Sequence, residues 1–143
     1  MRLSGGKHSM SYIEWNDSFS IDNAEIDAQH QQWIAIHNTL HGILLEGDVV
    51  SLQQAAINTL QEMQAYIQKH FAFEEAYMAR IGFPEIREHW RLHKDFDTQV
   101  YGYLRDAQKG EFPVLNSELV KILKYWLVHH ILFEDMKFSQ NRR

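Results

Sequence analysis

The chain has 143 residues, enough for one domain with a substantial core, and carries 14 Lys and Arg against 19 Asp and Glu, a formal net charge of −5. It has no cysteine, which excludes disulfides, thiolate zinc sites, cysteine-ligated iron–sulfur clusters and c-type haem. The basic residues fall in short scattered pairs, which argues against a nucleic-acid partner, and no apolar run reaches the roughly 18–20 residues needed to span a bilayer.

Residues 1–9 lack the apolar stretch of a secretory signal. They read as a disordered or appended extension, since Met10 can itself initiate, and His8 is given no role. A cytoplasmic location is expected. Residues 12–21 mix Trp15, Phe19 and Ile21 with polar residues, so an extended arm covering one end of the fold is predicted.

Asp22-Asn-Ala-Glu25 has the form of a capping box, with Asp22 as N-cap of a first helix that ends near Glu46 at Gly47. Ile26, His30, Trp33, His37, Leu40, His41 and Leu44 share one face by three-and-four spacing. Ser51-Leu-Gln-Gln54 reads as a second capping box. The helix behind it ends at Ile81-Gly82, before Pro84. Its stripe runs Leu52, Ala56, Leu60, Met63, Ile67, His70, Glu74, then Tyr77 or Met78.

A third helix from about Glu85 to Lys109 and Gly110 carries Ile86, His89, His93, Phe96, Val100 and Tyr103 or Leu104. Phe112-Pro113 breaks the chain. Asn116 or Ser117 then caps a fourth helix running to about Met136, with Leu119, Ile122 or Leu123, Trp126, His130 and Phe133 inward. Four long amphipathic helices with short connections predict an all-α, antiparallel up-down four-helix bundle with an extended N-terminal arm. The bundle is expected over residues 10–138, with 139–143 as a frayed tail.

Histidines and carboxylates interrupt each apolar stripe. Burying them costs several kcal/mol unless they are paired or bind a metal. His70 and Glu74, and His89 and His93, are four apart, so each pair lies on one helix face. The core positions offer five imidazoles, from His30, His70, His89, His93 and His130, with Glu74 and one carboxylate near 135. Seven donors overfill one metal. Two metals sharing two bridging carboxylates and a solvent oxygen fit, one holding three histidines and the other two, with one position left for an outside ligand. Spacing selects Glu134 as the last carboxylate, four after His130, because Asp135 lies about 140° around an ideal helix.

These stretches resemble the hemerythrin family, in particular its single-domain bacterial members. The similarity rests on Trp15 to Ile21, Ile26-Asp-Ala-Gln-His30, His70-Phe-Ala-Phe-Glu-Glu75, His89-Trp-Arg-Leu-His93 and Trp126-Leu-Val-His-His-Ile-Leu-Phe-Glu-Asp135. It implies one iron held by His89, His93 and His130, and a second held by His30 and His70. Glu74 and Asp135 would bridge the two iron ions, together with an oxo or hydroxo group. The family's five-residue spacing replaces Glu134 by Asp135 and so implies a helix irregularity near Phe133. The chain departs from the family at His129, where Asn is usual, and at His37, where an apolar residue is expected. The bland reading makes His37 a hydrogen-bonded core histidine and leaves His129 partly exposed.

The resemblance further implies an apolar pocket for O2. Trp33, Phe71, Trp126, Leu127 and Ile131 lie near ligand positions and could line it, although plain core packing explains each of them equally well. Reversible O2 binding by a carrier, storage or delivery protein is the expected function, without enzymatic turnover. A histidine-rich centre fits this, because carboxylate-rich centres favour higher oxidation states. Two alternatives stay open. One is an O2 or redox sensor acting through a separate partner; the other is a di-iron enzyme acting on peroxide or nitric oxide, with His37, His129, Tyr66 and Tyr77 as suspects. No nucleic-acid or membrane partner is expected; a protein partner is left open, and a monomer is allowed.

Overall fold

The amphipathic stripes form four long helical segments in the computed structural model, which describes residues 12–45, 49–109 and 117–141. Helix α1 spans Ala24–Leu45, α2 Val49–Arg80 and α3 Ile86–Gln108. The last segment is α4 (Ser117–His129), a π segment (His130–Asp135) and a short α5 (Met136–Asn141). α1 packs on α2 and α4, and α2 packs on α3. Phe96 of α3 stacks on Trp126 of α4 at 4.0 Å and closes the ring. The architecture is the expected up-down four-helix bundle, with no strand among the described residues.

Local chemistry moves two predicted helix starts. Asp22 has φ +63°, in the left-handed region, so it stands outside α1 and is not its cap. Asn23 takes that place: its Oδ1 accepts from the Ile26 N–H at 3.1 Å. Helix α2 begins at Val49, two residues ahead of the predicted start at Ser51. The end of α2 falls where expected. The Phe83 N–H donates to the Met78 carbonyl at 3.0 Å and the Gly82 N–H to that of Ala79 at 3.2 Å, a Schellman motif with Gly82 at φ +68°. The predicted extension 1–9, the stop at Gly47, the Gly110 end, the Phe112-Pro113 break and the Asn116 cap lie outside the described residues, as do the side chains of Leu44 and Leu52.

The arm is irregular over 12–16 and then makes one 3-10 turn, Asp17–Phe19. It is tied to the bundle at both ends. The Ile13 N–H donates to Asn38 Oδ1 at 2.9 Å, and Asn38 Nδ2 donates back to the Ile13 carbonyl at 2.8 Å. The Ile21 N–H donates to Asp27 Oδ1 at 2.9 Å. Ser139 Oγ donates to the Ile21 carbonyl at 2.6 Å, so helical structure and a fixed contact continue past Phe138 into residues expected to fray. Phe19 is buried, with Trp15 stacked on it at 5.5 Å.

The apolar core is split in two. The larger cluster contains Trp33, Leu60, Ile67, Phe96 and Leu127; the smaller contains Ile21, Ile26, Met78, Phe83 and Phe138. Between them lies a layer of buried histidines and carboxylates. Along α1, His30 falls between Ile26 and Trp33; along α2, His70 and Glu74 fall between Ile67 and Met78. No helix among the described residues is long and apolar enough to cross a membrane.

Candidate metal centre

Each helical segment contributes to the polar layer. α1 supplies His30, α2 supplies His70 and Glu74, α3 supplies His89 and His93, and the π segment supplies His130 and Asp135. On α2 and α3 the four-residue spacing carries both side chains to one face. The π segment does the same with five-residue spacing, because its wider turn takes in the extra residue. This overturns the spacing-based choice of Glu134. Asp135 is fully buried, whereas Glu134 is 21% exposed and pairs with Lys137 at 3.2 Å. The same shift turns Phe133 outward to 58% exposure, where an unbroken α-helical stripe placed it in the core.

The donors form two overlapping groups. One contains Glu74, His89, His93, His130 and Asp135; the other contains His30, His70, Glu74 and Asp135. The two carboxylates belong to both, and each turns one oxygen toward each group. Glu74 Oε2 lies 3.0 Å from Nε2 of both His30 and His70, and its Oε1 lies 3.2 Å from His93 Nε2. Asp135 Oδ2 lies 3.0 Å from His30 Nε2, while its Oδ1 lies 3.0 Å from His89 Nε2 and 3.1 Å from His130 Nε2.

These close approaches are mostly not hydrogen bonds. Neither oxygen of Asp135 has a hydrogen-bond partner, and neither do Glu74 Oε1, His70 Nε2 or His89 Nε2. Buried polar atoms are rarely left so. Lone pairs converging at about 3.0 Å match adjacent ligands of a six-coordinate ion with bonds of about 2.1 Å. The donor set therefore fits cations, and imidazole with carboxylate suits iron among other first-row metals.

The electrostatics agree. Burial pushes Glu74 and Asp135 up, but the surrounding imidazoles outweigh it and hold both carboxyls below their usual range. Burial likewise lowers His30 and His89, yet Asp135 and Glu74 beside them raise both to about 9. His130, where burial dominates, is lowered. The two carboxylates thus form a negative focus that attracts positive charge from every side.

Two residues that fix the imidazoles were not singled out from the sequence. His93 Nδ1 donates to Glu75 Oε2 at 2.8 Å, and His70 Nδ1 donates to Gln29 Oε1 at 2.7 Å. Each bond leaves the Nε2 lone pair facing the centre. The available signal was position: Glu75 follows a ligand residue and Gln29 precedes one. Aromatic rings hold the histidines from the larger cluster. Phe71 stacks on His93 at 3.8 Å, Trp126 stacks on His130 at 4.4 Å, and Trp33 lies 5.8 Å from His70. Phe96, counted only as core in the sequence, stacks on Trp126 within this group.

A family profile described as "Hemerythrin HHE cation binding domain" matches residues 22–140. The chain belongs to the hemerythrin family. A bacteriohemerythrin of Stenotrophomonas maltophilia is 34% identical over 131 residues, covering 91% of this chain and 81% of the relative. A bacteriohemerythrin of Pseudomonas aeruginosa is 30% identical over 126 residues, covering 88% and 78%. A hemerythrin-like protein of Naegleria gruberi is 27% identical over 129 residues, covering 90% and 92%. The buried cluster is thus the metal site of a hemerythrin-family cation-binding protein.

Within this hemerythrin-family fold the remaining candidates separate. Trp33, Phe71, Leu127 and Ile131 are buried in the larger cluster, and Trp126 packs against it. His37 and His41 are buried on α1 farther along from His30, and neither is among the converging donors. His129 is 44% exposed on the outer face, between Tyr125 at 5.5 Å and Phe133 at 4.8 Å. Tyr66 lies 6.5 Å from His70, whereas Tyr77 packs on Phe138.

Proposed function

We propose that this chain binds O2 reversibly at a di-iron centre, as a carrier, store or delivery protein rather than an enzyme. The observation that supports this best is the unequal sharing of donors. Five imidazoles divide three and two around a shared pair of carboxylates, Glu74 and Asp135. His89, His93 and His130 would hold one iron and His30 and His70 the other, so the second is one protein ligand short. Two iron ions held there would supply the two electrons that O2 takes on binding and returns on release.

The chain's own residues account for containment. The five imidazoles and both carboxylates are buried, so water has little access to displace a bound gas. Phe71 and Trp126 lie flat on His93 and His130 and keep those rings from turning. Trp33 lies 5.8 Å from His70 and Phe71 packs on His93 at 3.8 Å, and Leu127 and Ile131 belong to the same buried apolar cluster. The aromatic rings and aliphatic chains packed against the imidazoles carry no acidic proton for driving O–O cleavage, which favours binding over turnover.

Metal analysis and a spectrum test this. The protein should contain two iron atoms per chain. Air added to the anaerobic ferrous form should produce a visible charge-transfer band that disappears when O2 is removed. One zinc in place of two iron atoms overturns the proposal. Immediate bleaching with multiple turnover of peroxide replaces the binding protein by an enzyme.

A further inference from the structure

The two halves of the centre differ in what lies behind their histidines. In the three-histidine half, His93 Nδ1 donates to a carboxylate, Glu75, at 2.8 Å. In the two-histidine half, His70 Nδ1 donates to a neutral amide, Gln29, at 2.7 Å. The other imidazole of that half, His30, has its Nδ1 buried without a hydrogen-bond partner. Glu75 is 26% exposed, beside a surface cavity of about 220 Å³ that His93 and Phe71 also line. Phe71 lies flat on the His93 ring at 3.8 Å and keeps it in line with Glu75.

A carboxylate accepting an imidazole N–H draws the proton toward itself and leaves more electron density on the far nitrogen. An amide oxygen does this far less. We propose that Glu75 and Gln29 make the two metal positions electronically unequal, so that the ion on the His89, His93 and His130 side binds more tightly and is oxidised first. Glu75 touches no reacting atom and acts through His93, as a positioning residue that also carries charge. The assignment rests on the two-metal reading above. It adds to that reading an order of filling and of oxidation.

The test uses the full iron-loaded chain and a spectroelectrochemical titration resolving the two one-electron steps. Glu75→Gln keeps an acceptor for His93 but removes the charge. The lower of the two potentials should then rise by about 59 mV, a tenfold change in the ferric-to-ferrous ratio. Glu75→Ala should move the same step in the same direction. Gln29→Glu should lower the other step by a similar amount. If Glu75 only orients the ring, Glu75→Gln matches the wild type while Glu75→Ala alone is defective, and the proposal is overturned.

Stepwise cobalt(II) titration reads the same asymmetry without redox chemistry or O2. Glu75→Gln should weaken one binding step by about tenfold or more, and unchanged steps count against the proposal. Reversible O2 binding with unmoved potentials overturns this inference alone. Shifted potentials in a protein that never releases O2 support this inference and overturn the O2 reading.

Discussion

Asp135 Oδ1 lies 3.1 Å from His130 Nε2, although Asp135 stands five residues further along the chain and a regular α-helix would place it on a different face. The π segment removes that conflict. It costs local helical regularity, and it delivers two ligand-type side chains into the buried layer from one short stretch. Helical segments of this kind are rare and cluster at functional sites.

The first prediction follows from that register. Asp135→Ala should reduce bound metal from two ions to at most one per chain, because both half-sites lose an oxygen. Glu134→Ala should leave both metals in place, since its partner is the exposed Lys137. Elemental analysis after dialysis decides it. Retention of both metals by Asp135→Ala removes that residue from the ligand set.

Two phenylalanines five residues apart should behave oppositely. Phe133 is 58% exposed, and Phe133→Ser should change stability by no more than about 0.5 kcal/mol. Phe138 is fully buried against Phe83 and Tyr77, and Phe138→Ala should cost about 3–5 kcal/mol. Urea denaturation of the two variants measures the difference. A large loss at Phe133 would restore the unbroken α-helical register.

The chelator-stripped protein should lose stability as pH rises from 6.5 to 9. His30 and His89 are raised to about 9 by Asp135 and Glu74 against the opposing effect of burial, and His93 is raised as well. A proton held more tightly in the folded state stabilises fully below the unfolded pKa near 6.5 and is lost through about 9. His130, lowered by burial, works the other way but is one group against three. Glu74 and Asp135 act at the acid end, where their contribution is lost as protonation forces them neutral. The urea midpoint should therefore be lower at pH 9 than at pH 6.5. Added metal should reverse the trend over pH 6–8, because binding requires neutral imidazoles and releases protons. A midpoint rising with pH in the stripped protein contradicts this balance.

Gly82 tests the turn that ends α2. Its φ of +68° disfavours any side chain, while a Cβ there would meet nothing within 4 Å. Gly82→Ala should cost about 1–2 kcal/mol from backbone strain alone. A thermal melt reads it, and an unchanged midpoint would mean the turn relaxes freely.

Much of this protein is legible in its residues. The three-and-four spacing of Leu60, Met63 and Ile67 continues through His70 and Glu74, and so announces both a helix and the burial of its polar groups. Gly82 before Pro84 marks the α2 end because only a residue at ease with positive φ closes that turn well. Local rules were weaker at helix starts. Asp22 and Ser51 both satisfy a capping pattern, but several polar residues compete for each cap, and the arm's anchorage to Asp27 and Asn38 decides the path into α1.

Donor types and their count, five imidazoles and two carboxylates in core positions, were determined by the sequence itself, because burying such groups is costly without a partner or a metal. Which carboxylate turns inward was not determined by helical spacing, since periodicity presumes a regular helix and the π segment is not one. The family pattern pointed to Asp135, and the tertiary structure supplied the physical means. Only the packed bundle could pair His93 with Glu75 and His70 with Gln29, because those partners lie 18 and 41 residues apart and meet through the docking of α3 and α1 on α2.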